Sequence, residues 1–413
     1  MTFDVYFLRE ELSSIKEAKR RDLLRLLAAA QATASELQED LEADTPFRAE
    51  VVEVSKQLTR TLQTPVDRAW ELLNQSATPA VLQVTIDAGW LQLISKYAER
   101  NDVGITAAQL AEHTGSDIEL VKRLMRVLTA NAVVQEPSTD MYASNSFSKL
   151  FNAPEWANGL RHALRDYSIT MAGMPGFFAK SGYRLDGDIY QHVHGTPFLE
   201  RVRQGGEVGK QFTSFMRVVR AGKRPWFDLY PVAEKLTVSC DADVLVVDVG
   251  GGSGHDLVAF SQIKQELGLK GTMVLQDVPA VLAYVSDEYK TKIDVQPHDF
   301  FTPQPVVGAR AYLLKHILHD WPDDAGVSIL TRMRDAMKVG YSRLLINEIV
   351  LPDHQCSPWL AGFDITMMVV VKGKERSASE WENLVHAVPG LLIEKIWTFG
   401  SNNESIIEVV RKT

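Results

Sequence analysis

Between Leu314 and Asp324 the chain reads Leu-Lys-His-Ile-Leu-His-Asp-Trp-Pro-Asp-Asp, which sets His316 and His319 three residues apart. That spacing can place two imidazoles on one helical face, so a metal pair is the first chemistry to weigh. No nearby cysteine or His-Glu-x-x-His pattern completes a zinc site, and no metal is expected. An imidazole titrates near neutral pH, so a histidine at the C-terminal edge of a parallel sheet suits a general base instead.

A second constellation lies upstream. Val244–Val249 is an unbroken, β-branched run that reads as a buried strand, and Gly250-Gly251-Gly252-Ser253-Gly254 follows it directly. Glycines there let the backbone approach a ligand and turn sharply into a helix. The loop lacks the Lys-Ser/Thr ending of a phosphate-binding loop. Asp248, at the strand end, could receive an ammonium group. Asp277, in Gln-Asp-Val-Pro, comes 23 residues beyond Gly254, where an acid hydrogen-bonds ribose hydroxyls in doubly wound folds. His298-Asp299-Phe300-Phe301 suits an adenine pocket, a carboxylate for the exocyclic amine and an aromatic for the ring face. Together these imply a nucleoside ligand. NAD(P) is the rival, but the acid before the glycine loop favours S-adenosylmethionine.

The elements that must hold these residues are strands alternating with helices from Asp243 onward. Thr272–Leu275, Ala311–Leu314 and Leu344–Asn347 follow the first strand, which implies a parallel, doubly wound sheet. Leu391–Phe399 and Ser405–Val410 flank a Gly-Ser-Asn-Asn turn and read as a terminal antiparallel hairpin. Upstream, residues 104–149 read as a winged helix, with Thr106 a candidate N-cap and Gly115-Ser116-Asp117 the turn. Residues 155–235 are helical, with loops expected at Gly173–Pro175 and Gly182–Gly187. Residues 8–43 read as a long amphipathic helix or helix pair, packed on its own domain or embracing a second subunit. The expected division is an N-terminal helical arm (1–63), a winged-helix dimerisation domain (64–150), a helical bridge lining the substrate pocket (151–235) and a cofactor domain (236–413).

From Val244 onward, Asp-Val-Gly-Gly-Gly-Ser-Gly, Gln-Asp-Val-Pro, His-Asp-Phe-Phe, Lys-x-x-x-His-Asp-Trp, Asn-Glu-Ile-Val-Leu-Pro-Asp and Gly-Lys-Glu-Arg resemble one family. It is the S-adenosylmethionine-dependent O-methyltransferases, plant caffeic-acid-type and fungal, with their methyltransferase-like pericyclase relatives. The winged helix is similar to that family's dimerisation domain, so the resemblance runs from about Thr64 to Thr413. It implies a Rossmann-like methyltransferase sheet with a mostly α N-terminal domain, a homodimer, and S-adenosyl-L-methionine as cofactor. It further implies that Gly250, Gly252 and Asp277 hold the methionine and ribose parts and that Asp299 and Phe300 bind adenine. Lys315 and Trp321 would close the site. His319 would be the base, held by Glu348 and Glu375. Met171, Phe212, Met216, Met367 and Met368 would line the substrate pocket. One departure is that Val370-Val371-Lys372-Gly373-Lys374-Glu375 lacks the asparagine that orients phenolic substrates in the plant enzymes.

The resemblance leads to an O-methyltransferase acting on a hydroxylated secondary metabolite. The alternative is a methyltransferase-like pericyclase or dehydratase, which His162, Arg220 and Asp320 beside a Met/Phe-rich pocket would suit. A net charge of -9 opposes DNA as the partner of the winged helix, and likewise an anionic membrane. Two cysteines make no disulfide framework. There is no apolar run of ~20 residues, and the first twenty residues are charged throughout. A cytoplasmic location is therefore expected.

Overall fold

The computed structural model describes residues 5–36, 45–101, 103–220, 224–398 and 404–412. The chain divides into two compact units after Leu72.

The first unit is helical, with helices Val5–Glu36, Thr45–Leu62 and the start of Pro65–Asn74. Thr64 caps the last of these: its Oγ1 accepts the Asp67 N–H at 3.2 Å and the Asp67 carboxylate accepts the Thr64 N–H at 3.0 Å. Pro65 then occupies the first helical position, where a missing N–H costs nothing. Residues 37–43 of the expected arm lie outside the described residues.

The second unit opens with a winged helix. Thr106 caps Ala107–Thr114 through a reciprocal pair with Gln109, and Gly115 ends that helix in the left-handed conformation. Asp117 accepts the Leu120 N–H at 2.9 Å and starts Ile118–Ala130. Strands β1 (Ile105–Thr106), β2 (Gln135–Ser138) and β3 (Met141–Ala143) form the wing in the order β1-β3-β2. Trp90, Ile94, Leu110, Met125 and Leu128 bury its core.

The bridge departs from expectation at one place. Gly173–Pro175 is not a loop but lies inside helix Ile169–Ser181. A Cβ on Gly173 would collide with the Val193 side chain, so the glycine serves close helix packing rather than a turn. Gly182 does end that helix, in the left-handed region. The preceding turn, Ala163–Ser168, is π-helical.

The main sheet comprises β4 (Val244–Val249), β5 (Thr272–Asp277), β6 (Asp294–Pro297), β7 (Ala311–Lys315), β8 (Arg343–Leu351), β9 (Arg376–Ser377), β10 (Leu391–Thr398) and β11 (Glu404–Arg411). Its order is β10-β11-β8-β7-β4-β5-β6, with β9 paired to β8. β4 to β9 pair in parallel, while β11 runs antiparallel to both β8 and β10. This is the expected doubly wound, Rossmann-like sheet with its terminal antiparallel hairpin. The expected Gly-Ser-Asn-Asn turn and Phe399 lie outside the described residues. Side chains alternate between two cores: Tyr312, Leu314 and Ile346 face Trp381 and Met333, while Leu313 and Leu345 face Trp226 and Phe260.

From β4 the chain proceeds to β5 and β6 on one side and to β7 and β8 on the other. The carboxyl ends of β4 and β7 thus flank the switch point, where open α/β sheets bind ligands. The glycine loop follows β4 and His316–Asp320 follows β7.

Candidate active site

At the end of β4 the Gly250 and Gly251 amides donate to the Gln276 carbonyl at 2.7 and 3.1 Å, which folds the loop back over β5. Gly250 and Gly252 hold φ of 75° and 63°, conformations that favour glycine. A Cβ on Gly251 would strike the buried Asp248 carboxylate, whereas one on Gly252 would meet only open space. Asp277 Oδ2 accepts the Gly252 N–H at 2.9 Å and its Oδ1 accepts the Val278 N–H at 2.7 Å. Burial pushes its carboxyl up against the pull of those two bonds.

Asp299 is exposed and accepts the Phe301 N–H at 3.0 Å. Phe300 and Phe301 meet Trp321 edge-on, with centroids 6.1 and 4.9 Å away. Lys315 Nζ donates to Asp256 Oδ1 at 2.6 Å, pinning the end of β7 to the first turn of helix His255–Glu266. The structure therefore brings glycine loop, ribose-position acid and aromatic wall to one edge of the sheet.

His319 lies in a single 3₁₀ turn after β7, nearly buried. Its Nδ1 is 2.8 Å from Glu375 Oε1, and its Nε2 is 3.6 Å from Asp320 Oδ1. Glu348, fully buried on β8, accepts N–H bonds from Ile317, Leu318 and His319 on one oxygen. Burial alone would push the His319 imidazole down, but Glu348, Glu375 and Asp320 outweigh it and raise it to about 10. In its neutral form the ring, held at Nδ1 by Glu375, presents an Nε2 lone pair that can take a proton from a neighbouring hydroxyl, and the Glu348 and Glu375 carboxylates stabilise the imidazolium that results.

One supporting residue carried no role in the sequence reading. Arg376 is fully buried and donates to the Leu318 and Trp321 carbonyls at 2.8 Å each and to Asp323. It clamps both ends of the His319 turn. Its signal was the Gly-Lys-Glu-Arg motif, in which Gly373 is equally constrained because a Cβ there would collide with the His319 carbonyl.

The chain matches the O-methyltransferase domain over residues 182–388 and the O-methyltransferase dimerisation domain over 70–153. It is 35% identical to the O-methyltransferase asqD of Emericella nidulans, over 74% of this chain and 81% of that one. This chain belongs to the O-methyltransferase family. Among solved structures, LepI in complex with SAM is similar with TM-score 0.80 and 26% identity, covering 93% of this chain and 99% of that one. A protein described as a pericyclic reaction enzyme gives TM-score 0.80 and 25% identity over 94% and 100%. The cofactor of this O-methyltransferase is S-adenosylmethionine. The open space at Gly252 and the half-buried Asp277 beside it fit the nucleoside and amino-acid parts of that molecule.

On the substrate side, helix Pro358–Val371 packs against both the π turn and the His319 turn. Met171, Phe212 and Met368 share one apolar cluster with Tyr190, Val369 and Val370. Met367 is buried on the same helix and Met216 is partly buried. His162 contacts Phe212, but it is fully buried, with Nδ1 2.7 Å from Asp166 and Nε2 3.2 Å from the Tyr167 hydroxyl. Asp320 stands beside His319 rather than with His162. The side chain of Arg220 lies outside the described residues. Phe363, not singled out in the sequence, lies 6.5 Å from the His319 ring and stacks on Trp359. An i,i+4 aromatic pair near the start of this helix was the available signal.

Proposed function

We propose that this O-methyltransferase methylates a hydroxyl of a small-molecule secondary metabolite, with His319 as general base. The observation that carries the reading is the fixed imidazole: Nδ1 held 2.8 Å from Glu375, the backbone of its turn held by Glu348, and Nε2 left for the substrate. Asp248, Gly250, Gly252, Asp277, Asp299, Phe300, Lys315 and Trp321 would hold the cofactor. When bound, S-adenosylmethionine supplies a methyl group on a positively charged sulfur. His319 accepts the hydroxyl proton at Nε2, and the oxygen so exposed becomes the nucleophile. The imidazolium then faces two carboxylates, which stabilise the charge it gains. Phe363 and the methionines orient the substrate and exclude water, so the chain contributes mainly positioning and a proton acceptor.

Replacing His319 by Gln should cut transfer of a labelled methyl by about 10²–10⁴-fold and leave cofactor affinity within twofold. Methyl transfer at the parental rate would sink the reading. Assembly as a homodimer through the dimerisation domain and a cytoplasmic setting belong to the same proposal; no helix among the described residues is long and apolar enough to cross a membrane.

The likeness to the pericyclic reaction enzyme over nearly the whole chain favours a second reading, ring closure or dehydration without methyl transfer. Product mass separates the two, since methylation adds one methylene unit while the alternative yields an isomer or loses water.

A further inference from the structure

The two carboxylate oxygens of Glu348 keep different company. Oε1 accepts the Ile317 and Leu318 N–H groups at 2.9 Å each and the His319 N–H at 3.3 Å. Oε2 is equally buried and accepts no hydrogen bond among the described residues. It faces His316 Nδ1 and His319 Nδ1, each 3.7 Å away. A buried anionic oxygen without a donor is costly, and here two nitrogens converge on it just beyond hydrogen-bond reach.

Candidate donor atoms of His316, His319 and Glu348 all lie within 4.8 Å of one another. The remaining nitrogen of His316, Nε2, lies 3.3 Å from Glu404 Oε1. A carboxylate on the far nitrogen is the usual device that orients a ligating imidazole. Glu375 Oε2, also buried without a hydrogen bond among the described residues, belongs to the carboxylate whose other oxygen meets His319 Nδ1. His316 is held there at φ 52°, a left-handed conformation that costs a residue with a Cβ.

We propose that His316, His319 and Glu348 form a site for a divalent first-row transition-metal ion of the Zn²⁺ kind, and that its occupancy shuts off methyl transfer. Two imidazoles with a carboxylate favour such ions over Mg²⁺ or Ca²⁺, which prefer oxygen alone. On binding, the metal takes the His319 Nδ1 lone pair; from the imidazolium the Nδ1 proton leaves to solvent, and from the neutral ring it moves to Nε2. The neutral ring then carries its one proton on Nε2, which can donate a hydrogen bond but cannot accept a proton. The inhibitory half rests on His319 as base; the binding half does not, so each can fail separately.

The test uses chelator-treated full-length protein carrying Cys240→Ser and Cys356→Ser, which removes the two exposed thiols as competing ligands. ZnCl₂ is titrated calorimetrically in two buffers of different ionisation enthalpy, with thermal unfolding and methyl-transfer rate followed in parallel. One Zn²⁺ per chain, proton release, a rising Tm and loss of rate are expected, with MgCl₂ inert at the same concentration. His316→Gln should weaken Zn²⁺ binding at least tenfold, and His316→Cys should restore binding. Absence of Zn²⁺ binding, or equal binding in His316→Gln, overturns the site. Binding with an undiminished rate overturns the inhibitory role.

Discussion

Glu375 and Glu348 act on His319 in different ways, and the difference can be measured. Glu375 touches the ring, whereas Glu348 uses one oxygen to hold the three amides of its turn. Glu375→Gln keeps a hydrogen-bonding group at Nδ1 but removes a charge that stabilises the imidazolium. It should lower kcat about 10–100-fold while KM for the cofactor stays put. A fall in cofactor affinity of similar size would place Glu375 in a different role. His319 could be singled out as a candidate base from its residue type and its place after a strand. Its two carboxylates were legible only through family resemblance, because they lie far along the chain, Glu348 on β8 and Glu375 just before β9. The same distance hid the proposed cation site: His316 and His319 gave the right spacing, but their third ligand stands on β8, beyond any local motif.

Among the elements, the sheet could be read from its sequence wherever strands were buried on both faces and therefore continuously apolar. β6 was not: Asp294–Pro297 has one apolar aliphatic residue and an exposed start. Gly173 and Pro175 misled for a related reason. They are strong punctuation in sequence, yet here the small side chain is consumed by contact with Val193. The π turn Ala163–Ser168 left no sequence signal at all. It places buried Asp166 against His162, Arg165 and the Tyr190 hydroxyl. Burial would push the Asp166 carboxyl up, but those three partners outweigh it and hold it well below the usual carboxylate range. A depressed folded-state value contributes stability above the unfolded value of about 3.9, and that contribution is lost as pH falls further. Asp166→Asn should therefore cost ~3 kcal/mol near neutral pH and flatten the acid limb of the stability curve. Urea unfolding across the acid range reads both, and parallel acid limbs in parent and variant would exclude Asp166 as their source.

For the whole molecule, the residues that remain unspent are those of the first unit. Leu24 and Leu26 are 67% and 68% exposed and Val54 58%. Sequence periodicity left two uses open for this arm, packing on its own domain or embracing a second subunit. A truncation separates the two uses. Because residues 1–72 form their own compact unit, deletion of 1–63 should spare the sheet and the His319 turn. The deletion is expected to shift the protein toward monomer, or to raise its dimer dissociation constant at least tenfold, by light scattering across a dilution series. Cofactor affinity should stay within twofold, which separates loss of assembly from loss of fold. An unchanged mass profile would mean that the helices cover something other than a second copy of the chain. The dimer would then rest on the winged-helix unit alone.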